Sequence, residues 1–295
     1  MTDPGPRVLC IGASHWDVIG QTKTRLTIGD DVAGRIERRL GGVALNVALG
    51  LARHGHPVSL LSCVGNDAAG HALINELEAT GVDGAHMLRI DGGATGHYIA
   101  IEDDRGDLFA AIADAAVLEE NSDAIVRQAG RALQSASTVC LEANLATSAL
   151  EQIAIASRTA GAEIVANPVS PAKAKRLAFL LSGGFSPIFV ANLAEANVLL
   201  EGSFETTLEA AKALRSQSSG TALVTDGPRP VTLATPGEII TMSTPVLPDT
   251  VSVTGAGDAL LSAFLASQNR QDRPKAALQF ALDAAAEHMK VSNKI

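Results

Sequence analysis

The chain has 295 residues, 46% of them hydrophobic and 19% charged, enough to bury a large core as one big α/β domain or two smaller ones. Its formal net charge of −9 argues against nucleic acid or an anionic membrane as the main partner, because both reward basic surfaces. A phosphate ligand would therefore be held locally, by backbone dipoles, a few cationic side chains and a metal. Cys10, Cys63 and Cys140 stand in apolar runs without Cys-x-x-Cys spacing, which fits buried thiols in a reducing compartment. The polar start, Met1 to Pro6, shows no signal-peptide pattern, and the apolar stretches are too short or interrupted to span a bilayer. A cytoplasmic protein is expected.

Short runs rich in Val, Ile and Leu alternate with Ala/Leu-rich segments of helical spacing, the rhythm of a parallel βα sheet. A first strand is predicted over 7–12. It opens onto Gly12-Ala13-Ser14-His15-Trp16-Asp17, where a carboxylate in a polar turn suits either sugar hydroxyls or solvent. Residues 18–40 alternate like strands. Gly41-Gly42 then leads into a helix over 43–54, and glycines at a helix start allow close approach by a ligand. Asn46, one turn in on an apolar face, needs partners, either backbone or sugar hydroxyls. A strand over 57–64 and a helix over 69–80 follow. Residues 95–113 place two alternating runs around the acidic turn Asp103-Asp104-Arg105-Gly106, the pattern of a β-hairpin. With 18–40 this stretch reads as a small sheet beside the α/β body, either a lid that excludes water or a dimer-forming flap.

Strands are predicted at 138–142, 163–167, 187–191 and 222–225, and helices at 148–160, 171–181, 193–200 and 207–216. In open α/β sheets ligands bind at the carboxyl ends of strands. Asn192-Leu193-Ala194-Glu195 sits there, suited either to magnesium held through waters or to a helix capping box. Val224-Thr225-Asp226-Gly227 either floors a nucleotide pocket or makes an ordinary turn. Thr254-Gly255-Ala256-Gly257-Asp258 places glycines and a carboxylate at the mouth of an apolar helical run, 259–266. Helix N-terminal amides attract phosphate oxygens, and Asp258 in the first turn either accepts a proton from a hydroxyl or merely caps the helix. A last helix is expected over 275–290. No linker or repeat interrupts the chain, so 1–295 reads as a single domain.

Over nearly its whole length the chain resembles the PfkB/ribokinase-like carbohydrate kinases. The stretch from Gly41-Gly42 through Asn46 to Gly55 looks like the family's N-terminal signature, and Val253 to Ala259 like its C-terminal one. Gly65-Asn66-Asp67-Ala68-Ala69-Gly70 is similar to its Gly-x-Asp-x-x-Gly segment, and Asn192 to Glu195 fits its Asn-x-x-Glu element. The resemblance implies a ribokinase-like three-layer α/β fold, with a mostly parallel central sheet and a small β-sheet lid. It also implies an ATP-dependent sugar or nucleoside kinase. Asp258 would be the general base and Gly255, Ala256 and Gly257 the anion hole. Asp17, Gly41, Gly42 and Asn46 would hold the acceptor. Asn192 and Glu195 would place Mg2+ and ATP, with Thr225, Gly227, Thr254 and Gly257 toward the nucleotide. Within the family, Ala110 to Asp114, Glu142-Ala143-Asn144-Leu145 and Asn167-Pro168-Val169-Ser170 with Lys173 look most like pseudouridine kinases. That likeness implies a 5′-hydroxyl acceptor, with Glu142 and Asn144 on the substrate.

The departures are Ser252, where many members carry an Asp that helps bind a monovalent cation, Ala166 where Asp is frequent, and Pro230 in place of a second glycine of the nucleotide loop. The first argues against potassium activation. The end at Asn293-Lys294-Ile295 implies an abbreviated adenine pocket or a trimmed chain. A P-loop would need Gly-Lys-Ser/Thr, a dinucleotide fold an early Gly-x-Gly-x-x-Gly, and a metal hydrolase clustered histidines; none is present. A sugar-binding regulatory relative should have lost the base, and Asp258 is retained. Acceptor identity and oligomeric state, including a homodimer through the lid, stay open.

Overall fold

The structure, a computed structural model, describes residues 7–106, 108–247, 254–269 and 272–292. Ser252, Val253 and the terminal Asn293, Lys294 and Ile295, which figured in the sequence argument, lie outside the described residues. The strands in chain order are β1 (Val8–Ile11), β2 (His15–Thr22), β3 (Gly34–Gly41), β4 (Val58–Leu61), β5 (Cys63–Gly65), β6 (Leu88–Ile90), β7 (His97–Glu102), β8 (Leu108–Asp114), β9 (Thr138–Glu142), β10 (Glu163–Asn167), β11 (Ile188–Asn192), β12 (Thr221–Asp226), β13 (Arg229–Ala234) and β14 (Ile239–Met242). The helices are α1 (Val43–Arg53), α2 (Ala68–Glu78), α3 (Ala116–Glu120), α4 (Ser122–Ala132), α5 (Thr147–Thr159), α6 (Pro171–Ala174), α7 (Leu193–Leu200), α8 (Thr207–Ser218), α9 (Ala256–Asn269) and α10 (Pro274–Ser292).

Because successive strand residues face opposite sides, a strand buried on both faces must be apolar throughout. In β1, Val8 and Cys10 join one core with residues of α1, α2, α9 and α10, while Leu9 and Ile11 join the other with α4, α5, α7 and α8. The result is helix, sheet, helix. The central sheet runs β14-β13-β12-β11-β10-β9-β1-β4, parallel from β12 to β4 and antiparallel at the β12–β13 and β13–β14 pairs. A separate four-stranded sheet runs β3-β2-β7-β8. The fold is therefore the ribokinase-like α/β arrangement with a mostly parallel sheet and a small second sheet.

Several boundaries differ from the sequence reading. The strand expected over 57–64 breaks at Ser62: β4 stays in the central sheet, and β5 pairs with β6 instead. Ser62 is buried and accepts from the Ser14 hydroxyl at 2.8 Å, which holds the chain at the break. The helix expected over 171–181 becomes 3-10 after Ala174, where buried Leu177 and Leu180 follow the three-residue repeat. Helices α3 and α4 and strands β13 and β14 were not anticipated, and Pro230 lies in β13 rather than in a loop. Asp17 belongs to β2 rather than to a turn, paired in register with Arg39 and Tyr98. Cys10, Cys63 and Cys140 are buried free thiols. Among the described residues no helix is long and apolar enough to cross a membrane.

Candidate active site

The carboxyl ends of β12, β11, β10, β9 and β1 form one edge of the sheet, carrying Thr225, Asn192, Asn167, Glu142 and Gly12 in that order. Asn192 pairs in register with Thr225, and Asn167 with Glu142. Gly227 follows in a turn at φ 53°.

The paired glycines leave room for the chain itself. A Cβ on Gly41 would stand 2.1 Å from Asp17 Oδ1, and one on Gly42 would stand 2.4 Å from the Ala13 carbonyl oxygen. Gly42 also has φ 99°, disfavoured for a side chain with a Cβ. The Ala13 carbonyl in turn accepts from Leu45 N at 3.3 Å, so the loop after β1 and the start of α1 are one interlocked unit. Asp17 is buried, with His15 Nδ1 3.2 Å from its Oδ1 and Arg39 Nε 3.7 Å from its Oδ2.

Asn46 Nδ2 donates to Asp258 Oδ2 at 3.0 Å. One turn further along both helices, a Cβ on Gly50 would stand 2.1 Å from Ser262 Oγ, so α1 and α9 touch where only glycine fits. That contact sets the spacing at which Asn46 and Asp258 meet. Asp258 is partly exposed in the first turn of α9, and burial of its carboxylate raises its pKa from 3.8 to about 7, against the Asn46 bond and with help from the charges of Asp17 and Glu195. It therefore lies within electrostatic reach of both Asp17 and Glu195. Gly255 precedes it at φ 79°. A Cβ there would come 2.9 Å from His288 Nε2, an α10 atom itself 2.9 Å from the Thr254 carbonyl oxygen. Ala256 and Gly257 open α9, so their amides belong to its unsatisfied first turn.

Glu142 is fully buried and braces the opposite side. Its Oε1 accepts from Ala13 N at 2.6 Å, and its Oε2 accepts from Asn144 N at 3.2 Å and from the Asn144 side-chain amide. Burial raises its pKa to about 7 despite these bonds and the nearby Lys173. Lys173 donates to Asn144 Oδ1, and Arg176 Nη1 donates to the carbonyls of Asn144 and Leu145 at 3.2 and 3.1 Å. Both Glu142 oxygens are thus engaged by the chain, and Asn144 is held by a lysine.

Asn192 and Glu195 form a complete capping box at the start of α7. Glu195 is buried with its pKa raised by that burial. A carboxylate and an amide oxygen beside Thr225 suit magnesium, and since the capping box already engages both side chains, they fit a hydrated ion better than direct ligation. Trp16 is wholly buried: its Nε1 donates to the Ala69 carbonyl at 2.9 Å, and the Arg38 guanidinium lies 4.1 Å from its ring centroid. It is therefore not a stacking platform for a ligand. His288 carried no signal in the sequence that would tie it to the site. Gly50 did carry a signal, since a lone glycine inside a helix often marks close packing.

The chain matches the pfkB family carbohydrate kinase profile over residues 6–294. It belongs to the pfkB family of carbohydrate kinases. As such it is a phosphotransferase with an alcohol group as acceptor. This pfkB kinase is 27% identical to a pseudouridine kinase of Escherichia coli over 261 residues, 87% of its own chain and 82% of the relative. It is 28% identical to a guanosine-inosine kinase of Exiguobacterium acetylicum over 292 residues, 95% and 93% of the two chains. Among solved structures, a carbohydrate kinase from Agrobacterium tumefaciens is 26% identical with a TM-score of 0.81, covering 95% of this chain and 90% of that one.

Proposed function

We propose that this kinase transfers the γ-phosphoryl of ATP to the 5′-hydroxyl of pseudouridine, with Asp258 as general base. The observation that carries the base assignment is the Asn46–Asp258 pair at the mouth of α9, next to the glycine-rich turn Gly255 to Gly257. Asp17 and Asn46 hold acceptor hydroxyls, with Gly41 and Gly42 admitting the Asp17 carboxylate and the Ala13 loop beneath them. An acceptor hydroxyl brought to Asp258 loses its proton to that carboxylate as the oxygen attacks, while the amides at the head of α9 face the charge on the transferred group. Bound with ATP, magnesium would neutralise phosphate charge; Asn192 and Glu195 are its candidate holders, with Thr225, Gly227 and Thr254 on the nucleotide.

Two features support pseudouridine among nucleosides and sugars: the likeness to the Escherichia coli enzyme, and Asn144 with Lys173 beside the end of β9, whose remaining N–H donors suit a base edge while buried Glu142 holds Asn144 in place. The four-stranded sheet acts as a lid. On one of its faces Asp17, Tyr98 and Ala113 lie in register, and on the other Val18, Ile99 and Ile112 do. That second face leaves Ile112 71% and Ile36 77% exposed, apolar area that a second copy of the chain would cover. Incubation with ATP and a panel of pseudouridine, uridine, adenosine, guanosine, ribose, fructose and 2-keto-3-deoxygluconate tests the assignment. Phosphorylation of pseudouridine at the lowest KM supports it, whereas phosphorylation of a free sugar but not pseudouridine rejects it.

A further inference from the structure

The Gly65–Gly70 segment has no place in the chemistry above, yet it is densely bonded to the chain that leads into the lid. Asp67 caps α2, its Oδ1 accepting from Gly70 N at 2.7 Å. The same carboxylate accepts from Thr95 twice, Oγ1 to Oδ1 at 2.6 Å and N to Oδ2 at 2.9 Å. Thr95 is buried and its hydroxyl oxygen also accepts from Gly65 N at 3.1 Å. Both glycines are required by this fit, because a Cβ on Gly65 would come 2.3 Å from the Gly93 carbonyl oxygen and one on Gly70 would come 2.7 Å from Thr95 Oγ1.

Thr95 stands two residues before β7, and the same first turn of α2 holds the neighbouring strand. The Ala69 carbonyl accepts from Trp16 Nε1, and Trp16 N donates to the Gly96 carbonyl at 3.1 Å. The first turn of α2 thus grips the roots of both central lid strands, β2 and β7, and Asp17 is the residue after Trp16. A lid can move only about its roots, and residues that fix those roots set where its inner face comes to rest. We propose that Asp67 and Thr95 are positioning residues for phosphoryl transfer: they rivet the lid to α2 and so hold Asp17 where the acceptor binds. This rests on Asp17 holding the acceptor, as proposed above.

The test uses the full chain with Thr95→Val, which keeps the β-branched shape and the α2 cap but removes the hydroxyl, and Thr95→Ser, which restores it. Hydrogen exchange, which needs no substrate, should show faster exchange over 15–22 and 97–102 in Thr95→Val, with β9 to β12 unchanged and Thr95→Ser like the parent. Acceptor KM should rise about tenfold in Thr95→Val while ATP KM changes by less than about twofold. Acceptor-independent ATP hydrolysis should rise relative to transfer, since a poorly seated lid admits water. Lid exchange unchanged in Thr95→Val would overturn the rivet. A loosened lid with unchanged acceptor KM would overturn its link to Asp17. If Asp17→Asn leaves acceptor KM unaltered, the acceptor reading fails separately, and the exchange result still decides the rivet.

Discussion

Replacing Gly50 by alanine should disable the kinase while leaving it folded. The new Cβ would stand 2.1 Å from Ser262 Oγ and 2.5 Å from Ser262 Cβ. Carbon atoms pack at roughly 3.5 to 4.0 Å, so α1 and α9 must part by about 1 Å. The overpacking costs roughly 1 to 3 kcal/mol. Alanine's better helix propensity offsets about 1 kcal/mol of it. Net stability therefore falls by no more than about 2 kcal/mol. The site fares worse, because the 3.0 Å Asn46–Asp258 bond lies one turn away on the same two helices. A shift of that size at the reacting centre lowers turnover by about 100-fold. Losing the bond also removes the interaction that restrains the Asp258 pKa, so the acid limb of the pH–rate profile moves upward. Ser262→Gly deletes the colliding atoms, and the double variant Gly50→Ala/Ser262→Gly should recover most of the activity. Steady-state kinetics with thermal unfolding on the four members of this cycle is the assay. Full activity in Gly50→Ala, or no rescue by Ser262→Gly, would refute the idea that this contact sets the base.

Activity and stability should move in opposite directions between about pH 5 and 7. The folded pKa values of Asp258 and Glu142 are raised to about 7 from 3.8 and 4.5. In that window the folded chain holds protons that the unfolded chain has already lost, so stability declines as pH rises toward about 7 and levels off above it. Over the same window Asp258 ionises, so kcat/KM should climb; a flat kcat/KM, or an unfolding midpoint that rises with pH, would contradict the assignment. Gly41→Ala places a Cβ 2.1 Å from Asp17 Oδ1, and acceptor KM should rise about tenfold with ATP KM nearly constant. Glu195→Gln keeps an oxygen to accept from Asn192 N, so α7 stays capped. Its magnesium concentration for half-maximal rate should nonetheless increase, and an unchanged magnesium titration would remove Glu195 from the metal's holders.

The layered fold was readable because strands buried on both faces are continuously apolar, as in β1 and the middle of β9, and because helices such as α1 and α8 keep their spacing. Strand β13 escaped notice because Arg229 and Pro230 open it, and β14 because it is only four residues long, as suits an antiparallel edge strand. Helix α4 carries Ile125, Ala129 and Ala132 at helical spacing against a strongly polar opposite face, so it was legible in the sequence although no helix was predicted there. At the candidate site, the sequence singled out residues but not the partners the structure gives them. Gly41 and Gly42 did signal close approach, yet what approaches is Asp17 and the Ala13 loop. Asn46 did signal a buried amide in need of a partner, and that partner lies 212 residues away at Asp258. Glu142 shows the same limit: its place at a strand end was legible, but its two bonded oxygens, one on Ala13 and one on Asn144, were not.

Asp258 is the residue on which the account turns. The sharpest measurement compares Asp258→Asn with the parent for binding, by calorimetry with acceptor and with Mg-ATP, and for turnover, by direct detection of the phosphorylated product. Asparagine is nearly the same size and can still bond Asn46 through its oxygen, so both affinities should stay within about threefold. Turnover should fall by about 1,000-fold or more, because the group that takes the hydroxyl proton is gone. Turnover close to the parent's, with binding intact, would show that another group removes that proton and would contradict the account.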